Sequence, residues 1–318
     1  MDRAARTYVA GHRGLVGSAL WRHFAAAGFT DLVGRRSDQL DLRDRGGTFA
    51  FFQQERPRTV VLAAARVGGI LANATQPVEF LSDNLRIQVN VLDAALASGV
   101  DRLLFLGSAC IYPKLAPQPI SEDSLLTGPL EPTNDAYAIA KIAGVLQVQA
   151  ARRQYGVHWV SAMPTNLYGP GDSFDPERSH VLPGLLRRFA LAADADEPEV
   201  VVWGTGTPRR EFLHVDDLAR AALLVLDSYD DPAPINIGTG QDVTIRELAT
   251  TIASAVGFRG KITFDPTRPD GTPRKLLDVS RLGRLGFVPS IPLEDGIRAT
   301  YEWWRASVGA GAPAGSVR

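Results

Sequence analysis

The sequence predicts an α/β protein: a doubly wound parallel sheet followed by a smaller, discontinuous α/β unit. Three observations point there. Short apolar runs at residues 7–10, 59–63, 102–107 and 157–162 alternate with longer helix-like stretches. That is the order in which parallel strands and crossover helices must come. The run Thr59-Val60-Val61-Leu62-Ala63 shows no polar alternation, the mark of a strand covered on both faces. A glycine turn from Gly11 to Gly17 joins the first strand to the first helix.

At 318 residues the chain is long enough for about two domains. Its 34 Lys and Arg balance 35 Asp and Glu, and the charges are interspersed, so a nucleic-acid partner is not expected. No run of about 18 apolar residues offers a membrane span. The polar stretch Met1 to Arg6 does not read as a signal peptide, and the expected compartment is the cytoplasm. One cysteine, Cys110, excludes an intrachain disulfide and a cysteine-built metal site; no metal is expected.

In chain order, residues 7–10 form a strand, and Gly11-x-x-Gly14-x-x-Gly17 opens a helix through residue 27. Glycines let a backbone approach a pyrophosphate lying on a helix amino terminus. Gly11, His12, Arg13, Gly14, Leu15, Val16 and Gly17 are therefore expected to wrap a dinucleotide. The second strand is residues 32–33. An acidic residue at its end would bind the 2′-hydroxyl of NAD. Here stand Gly34-Arg35-Arg36-Ser37, which with Arg13 predict a 2′-phosphate, hence NADP. Asp41 and Leu42 are placed to meet the adenine. Residues 64–77 read as a loop and 79–98 as a long helix. Leu106, Gly107, Ser108, Ala109 and Cys110 emerge from the strand at 102–107, at the edge where parallel sheets bind ligands. After the strand at 157–162, Pro164, Thr165, Asn166 and Leu167 border the expected nicotinamide.

Beyond residue 164 the pattern loosens. A helix at 181–193, a strand at 200–203 and a turn at 204–210 come next. A strand at 212–215 and a helix at 216–226 read as a return to the main sheet. A strand at 235–238 and helices at 244–256 and 293–304 complete the chain. This divides it into a cofactor unit, 1–163 with 212–240, and a second unit, 164–211 with 241–305. The tail at 306–318 reads as disordered.

Tyr137 and Lys141 lie four residues apart on a helix-forming stretch, so they share one face. A free phenol titrates near pH ~10, and a close cation favours the phenolate. Lys141 is thus expected to lower the pKa of Tyr137 and make it a tuned proton donor.

Gly11-x-x-Gly14-x-x-Gly17, Ser108 and Tyr137-x-x-x-Lys141 together resemble the extended short-chain dehydrogenase/reductase family. Further segments narrow the likeness: Ala65-Arg-Val-Gly-Gly-Ile70, Leu106-Gly-Ser-Ala-Cys-Ile-Tyr-Pro-Lys114, Glu131-Pro-Thr-Asn134, Pro164-Thr-Asn-Leu-Tyr-Gly169, Arg210-Glu-Phe-Leu-His-Val-Asp-Asp217 and Pro269-Asp-Gly-Thr-Pro-Arg-Lys275. They resemble the GDP-L-fucose synthase branch, whose members epimerise and reduce GDP-4-keto-6-deoxymannose. The resemblance implies a Rossmann cofactor domain, NADP, a GDP-sugar substrate and a homodimer paired through the 79–98 helix and the Tyr137 helix. It implies that Cys110 and His180 serve as base and acid at C3 and C5, in an order left open. His180 is also expected at the cofactor. Tyr137 would protonate the C4 oxygen with Ser108 beside it, and Lys141 would hold the nicotinamide ribose. Arg188, Trp203, Arg210, Asp270 and Lys275 would hold the nucleotide-sugar half. Ser37 departs from the branch, where arginine is frequent. The competing reading is another nucleotide-sugar 4-epimerase or 4,6-dehydratase; a dehydratase carries an Asp-Glu pair where this chain has Ala109-Cys110.

Overall fold

In the computed structural model, which describes residues 1–176, 179–268 and 270–309, the chain begins as a regular strand–helix alternation. The elements are β1 (Thr7–Ala10), α1 (Leu15–Ala26), β2 (Leu32–Val33), α2 (Arg45–Glu55), β3 (Thr59–Leu62), α3 (Ile70–Thr75), α4 (Pro77–Ala97), β4 (Arg102–Leu106), α5 (Asp135–Tyr155) and β5 (His158–Pro164). After these come β6 (Asn166–Tyr168), α6 (Val181–Asp194), β7 (Glu199–Trp203), β8 (Arg209–His214), α7 (Val215–Ser228) and β9 (Ile235–Ile237). The chain closes with β10 (Asp242–Thr244), α8 (Ile245–Val256), β11 (Lys261–Asp265), β12 (Arg274–Lys275), α9 (Ser280–Arg284) and α10 (Leu293–Gly309).

Six parallel strands form the main sheet in the order β2-β1-β3-β4-β5-β9. Its two faces bury alternate residues, as the two-residue strand period requires. Tyr8, Val60, Leu103 and Phe105 pack with Phe52 of α2, Val91 of α4 and Val145 of α5. Val9, Val61, Leu104 and Val160 pack with Leu20 and Phe24 of α1 and Leu218 and Ala222 of α7. Local chemistry sets the helix ends. Asp44 accepts from the amides of Gly46 and Gly47 at the start of α2, Pro77 opens α4, and Gly156 closes α5 in the left-handed region. Thr244 and Glu247 form a capping box on α8.

The second unit has its own core, where Leu186 and Phe189 of α6 meet Val202 of β7, Ile252 of α8, and Ile297 and Trp304 of α10. Strand β8 is its centre, flanked by β10, β12 and β6. This differs from the sequence reading. The strand at 212–215 was expected in the main sheet, but residues 212–214 belong to β8 and Val215 opens α7; of this pair only α7 returns, because its apolar stripe fits the α1 face of the main sheet. Three helices went unread, among them the short α9. α2 starts with two glycines and carries a weak stripe, and α3 interrupts the expected 64–77 loop. Residues 306–309, expected to be disordered, continue α10, and the rest of that tail lies outside the described residues. Pro269, a member of a motif quoted above, also lies outside them. Among the described residues, no helix is long and apolar enough to cross a membrane.

Candidate active site

The glycine turn after β1 tolerates no side chains at two positions. Gly11 has φ +81°, and a Cβ there would sit 2.9 Å from the Ala64 backbone. A Cβ on Gly17 would sit 2.0 Å from the Gly11 carbonyl oxygen. α1 begins at Gly14 with no side-chain cap, so its first-turn amides remain available to an anion, with Leu15 and Val16 leading into the core. The His12 ring packs against Trp21 at 5.4 Å and lies over Gly34. Its Nδ1 is buried without a partner, and burial, Arg13 and Arg35 all disfavour its protonated form.

The arginines after β2 divide. Arg35 turns away to Glu55 at 2.7 Å and lies over the Phe51 ring. Arg36 is exposed and clasps Asp38 through two bonds of 3.0 and 2.7 Å, leaving Ser37 exposed beside it. Such an exposed pair is worth ~0–1 kcal/mol and yields readily to a phosphate. Arg13 is exposed and enters no ion pair among the described residues. Asp41 is held by Arg43 at 2.8 Å, and the Leu42 side chain lies in the core, so the adenine would meet Leu42 through its backbone. The cradle, the uncapped helix and the free Arg13 fit a dinucleotide carrying a 2′-phosphate.

The reactive groups converge at the end of β4. Gly107 bonds back to Ala162 of β5, and the chain turns through Ser108, the buried Ala109 and Cys110. Ser108 Oγ accepts the Cys110 amide at 3.2 Å and hydrogen-bonds the Tyr137 hydroxyl. The Cys110 sulfur lies close enough to Tyr137 for its negative charge to oppose the phenolate. Lys141 sits one turn on, 5.9 Å from the Tyr137 ring centroid, with its ammonium donating to the Leu106 carbonyl at 2.8 Å.

The expected lowering of the Tyr137 pKa is corrected here. Burial pushes the phenol up, the Cys110 sulfur adds to the rise, and Lys141 spends its ammonium on Leu106. Burial also pushes Lys141 down to about 8. Tyr137 is therefore a fully protonated donor at neutral pH, and Ser108 opposes the upward shift by its hydrogen bond.

β5 runs on into β6, and this crossing carries the next residues. Pro164 pairs with Ile237, Thr165 Oγ1 and Asn166 Nδ2 both reach the Glu211 carbonyl, and Leu167 pairs with Leu213. His180 precedes α6 and caps none of its amides. Its surface is solvent-accessible, yet protein crowds the ring enough for desolvation to disfavour the imidazolium. No hydrogen bond joins it to the Ser108–Cys110–Tyr137 group among the described residues.

The remaining candidates spread over the second unit. Arg188 donates to the Val201 carbonyl at 2.5 Å. Trp203 is 62% exposed, with the Arg268 guanidinium 5.0 Å from its ring. Arg210 is half-buried and its guanidinium donates to the Arg209 carbonyl; burial lowers its pKa, while Glu131 and Asp270 raise it. Asp270 holds Thr205 through its amide and hydroxyl, at 2.7 and 2.9 Å. Lys275 lies in register beside Arg210, and its ammonium reaches to 3.8 Å from the Cys110 sulfur. Sequence reasoning gave no role to two neighbours. Asn134 donates to the same sulfur at 3.4 Å, and Glu131 accepts from Lys114 and Thr272 at 3.0 and 3.1 Å. Asn134 stands where helix caps stand, which hid it.

Residues 7–238 match the model of the NAD dependent epimerase/dehydratase family. The chain is 57% identical to GDP-L-fucose synthase 1 of Arabidopsis thaliana, over 96% of this chain and 95% of the relative. It is 53% identical to GDP-L-fucose synthase of Escherichia coli, over 94% and 96%. The chain belongs to this family, in its GDP-L-fucose synthase branch. Family membership extends to three dimensions: a solved GDP-L-fucose synthetase of Naegleria fowleri bound to NADP superposes with a TM-score of 0.89 at 29% identity, over 98% of this chain and 97% of that one.

Proposed function

We infer that this chain is an NADP-dependent epimerase/reductase that converts GDP-4-keto-6-deoxy-D-mannose to GDP-L-fucose. The observation that carries the reading is the convergence of Ser108, Cys110 and Tyr137 at the end of β4, with Lys141 behind them. An ordinary reductase of this fold needs no thiol there, and relatives that match this chain over nearly its whole length are named GDP-L-fucose synthases.

Bound NADPH supplies a hydride to C4. The chain's own residues govern the protons. The ketone acidifies the hydrogens on C3 and C5, and each inversion needs one group to remove a proton and another to return one from the opposite face. Cys110 and His180 take these parts. Ser108 and Tyr137 hold the C4 oxygen, stabilising the enolate during inversion and the alkoxide during reduction. Tyr137 then gives the alkoxide its proton. Lys141 orients the nicotinamide ribose. Gly11 to Gly17 with Arg13 and Arg36 hold the dinucleotide, and Arg188, Trp203 and Arg210 hold the GDP half, where a buried guanidinium suits a diphosphate.

Residues 1–163 with 212–240 act as the cofactor unit and 164–211 with 241–305 as the substrate unit, and β8 is the strand they share at the boundary. The protein works in the cytoplasm as a homodimer paired through α4 and α5. Val78 and Val89 on α4 and Ile139 and Leu146 on α5 leave 71, 37, 47 and 42% of their surfaces exposed, a supply of apolar area for that pairing.

The test mixes purified protein, NADPH and GDP-4-keto-6-deoxy-D-mannose, and follows absorbance of the reduced nicotinamide. Consumption with formation of GDP-L-fucose supports the reading. Tightly bound oxidised NAD in the purified protein, with no NADPH consumption, points instead to a 4-epimerase.

A further inference from the structure

The Cys110 sulfur is gripped from both units of the protein. Asn134 Nδ2, at the start of α5, lies 3.4 Å away, and Lys275 Nζ, on β12, lies 3.8 Å away. Neither side chain has the role its position suggests. Asn134 fills the N-cap position of α5, where asparagine ordinarily accepts a first-turn amide, yet it makes no capping bond. Its Oδ1 is buried without a partner. The Lys275 ammonium enters no ion pair among the described residues, and its hydrogen bond runs to the sulfur.

The backbone around Lys275 is fixed on several sides. β12 lies in parallel register on β8, with Lys275 beside Arg210. The Leu276 amide donates to Gln118 Oε1 at 2.9 Å, and the Leu276 carbonyl accepts the Ile120 amide at 2.7 Å. The Leu277 amide donates to Glu211 Oε2 at 3.0 Å, and the buried Glu211 carboxylate also takes the amides of Thr239 and Gly240. A lysine mounted so firmly and aimed at a sulfur is not a solvated surface charge. An ammonium and an amide N–H are also the donor types that stabilise sulfur when it carries negative charge.

We propose that Asn134 and Lys275 are positioning residues for Cys110, aiming its sulfur and stabilising negative charge on it as it exchanges a proton with the sugar ring. The proposal rests on the epimerase/reductase reading. In the proton-removing direction a C–H bond beside the ketone breaks and an S–H bond forms. The electron pair passes into an enolate whose oxygen lies at Tyr137 and Ser108, and the reverse step returns the proton. No oxidant or reductant takes part. This role differs from the nucleotide-sugar anchor that the sequence suggests for Lys275, and the two are separable by experiment.

The test uses Lys275→Met, Lys275→Arg and Asn134→Leu in the full chain. Solvent deuterium entering C3 and C5 of GDP-4-keto-6-deoxy-D-mannose is measured at saturating substrate, with NADP⁺ in place of NADPH. Kd values for GDP and NADPH and the thermal midpoint are measured alongside. Lys275→Met and Asn134→Leu should slow exchange about 10-fold or more, and Lys275→Arg should recover most of it. The Kd for GDP should stay within about twofold. Unchanged exchange in Lys275→Met overturns the proposal, as does an about tenfold loss of GDP affinity with exchange at saturation intact. If Lys275→Met fails to fold, the Asn134→Leu rate decides by the same criterion. Wild-type protein that neither exchanges nor consumes NADPH removes the underlying reading instead.

Discussion

The Lys141 ammonium donates to the Leu106 carbonyl oxygen at 2.8 Å and lies 4.9 Å from the Phe105 ring centroid, with no carboxylate paired to it among the described residues. Burial therefore pushes it from 10.5 down to about 8. Between those values the unfolded chain holds this proton more tightly than the folded one, so the residue's contribution to stability rises with pH. Below about 8 the burial penalty acts in full. Lys141→Met should accordingly be more stable than wild type at pH 7, by up to ~3 kcal/mol, while losing reductase activity. The advantage should fade as pH approaches 10.5. Urea denaturation of both proteins across that range measures it, and a pH-independent gap contradicts the assignment.

Asp172 has the opposite sign. It is 7% exposed, its Oδ1 accepts the Ser173 amide at 2.7 Å, and its Oδ2 is buried without a partner. Burial pushes it from 3.8 up to about 7. The folded protein then holds the proton more tightly, and stability falls as pH rises through that window. Asp172→Asn should stabilise the protein at pH 8 by up to ~4 kcal/mol, a gain that vanishes below pH ~4. Thermal melts at both pH values test this.

Arg13 and Arg36, proposed here to hold the 2′-phosphate, start from unequal commitments. Arg36 must first leave Asp38, whereas Arg13 has no ion pair to break among the described residues. Arg13→Ala should thus lower kcat/KM for NADPH by roughly 10- to 100-fold, the worth of a charge-assisted hydrogen bond, with NADH little changed. Arg36→Ala should have the smaller effect. An equal loss with both cofactors means that Arg13 serves the shared pyrophosphate.

Tyr137 is a protonated phenol that Ser108 engages from one side. Tyr137→Phe removes the proton donor and keeps the ring packed on Phe80. Reduction should fall about 100- to 10,000-fold while NADPH binding persists. Reduction near the wild-type rate in single-turnover mixing would show that another group protonates C4.

Much of the cofactor half was legible because its constraints are local. β1 and β2 fall at the residues expected from their apolar runs, and the glycine spacing at 11, 14 and 17 reports directly on backbone clashes. Features set by distant chain segments were not legible. Nothing near residue 141 tells that its ammonium prefers Leu106 to Tyr137, since that depends on how closely α5 packs against β4. The partner of β8 is decided by β6, β10 and β12, which are short and lie far apart in the chain. Arg35 looked like a phosphate ligand until Glu55, 20 residues on, proved to hold it. Lys275 meets Cys110 across a separation of 165 residues, beyond the reach of any periodicity argument.

The central claim is that one pocket both inverts C3 and C5 and reduces C4. The most direct test runs the complete reaction with NADPH in deuterated water and locates deuterium in the product. The account predicts GDP-L-fucose carrying solvent deuterium at C3 and C5 and none at C4, where the hydrogen arrives from the cofactor. A reduced product without deuterium at either ring carbon would contradict it and leave the chain a simple ketoreductase.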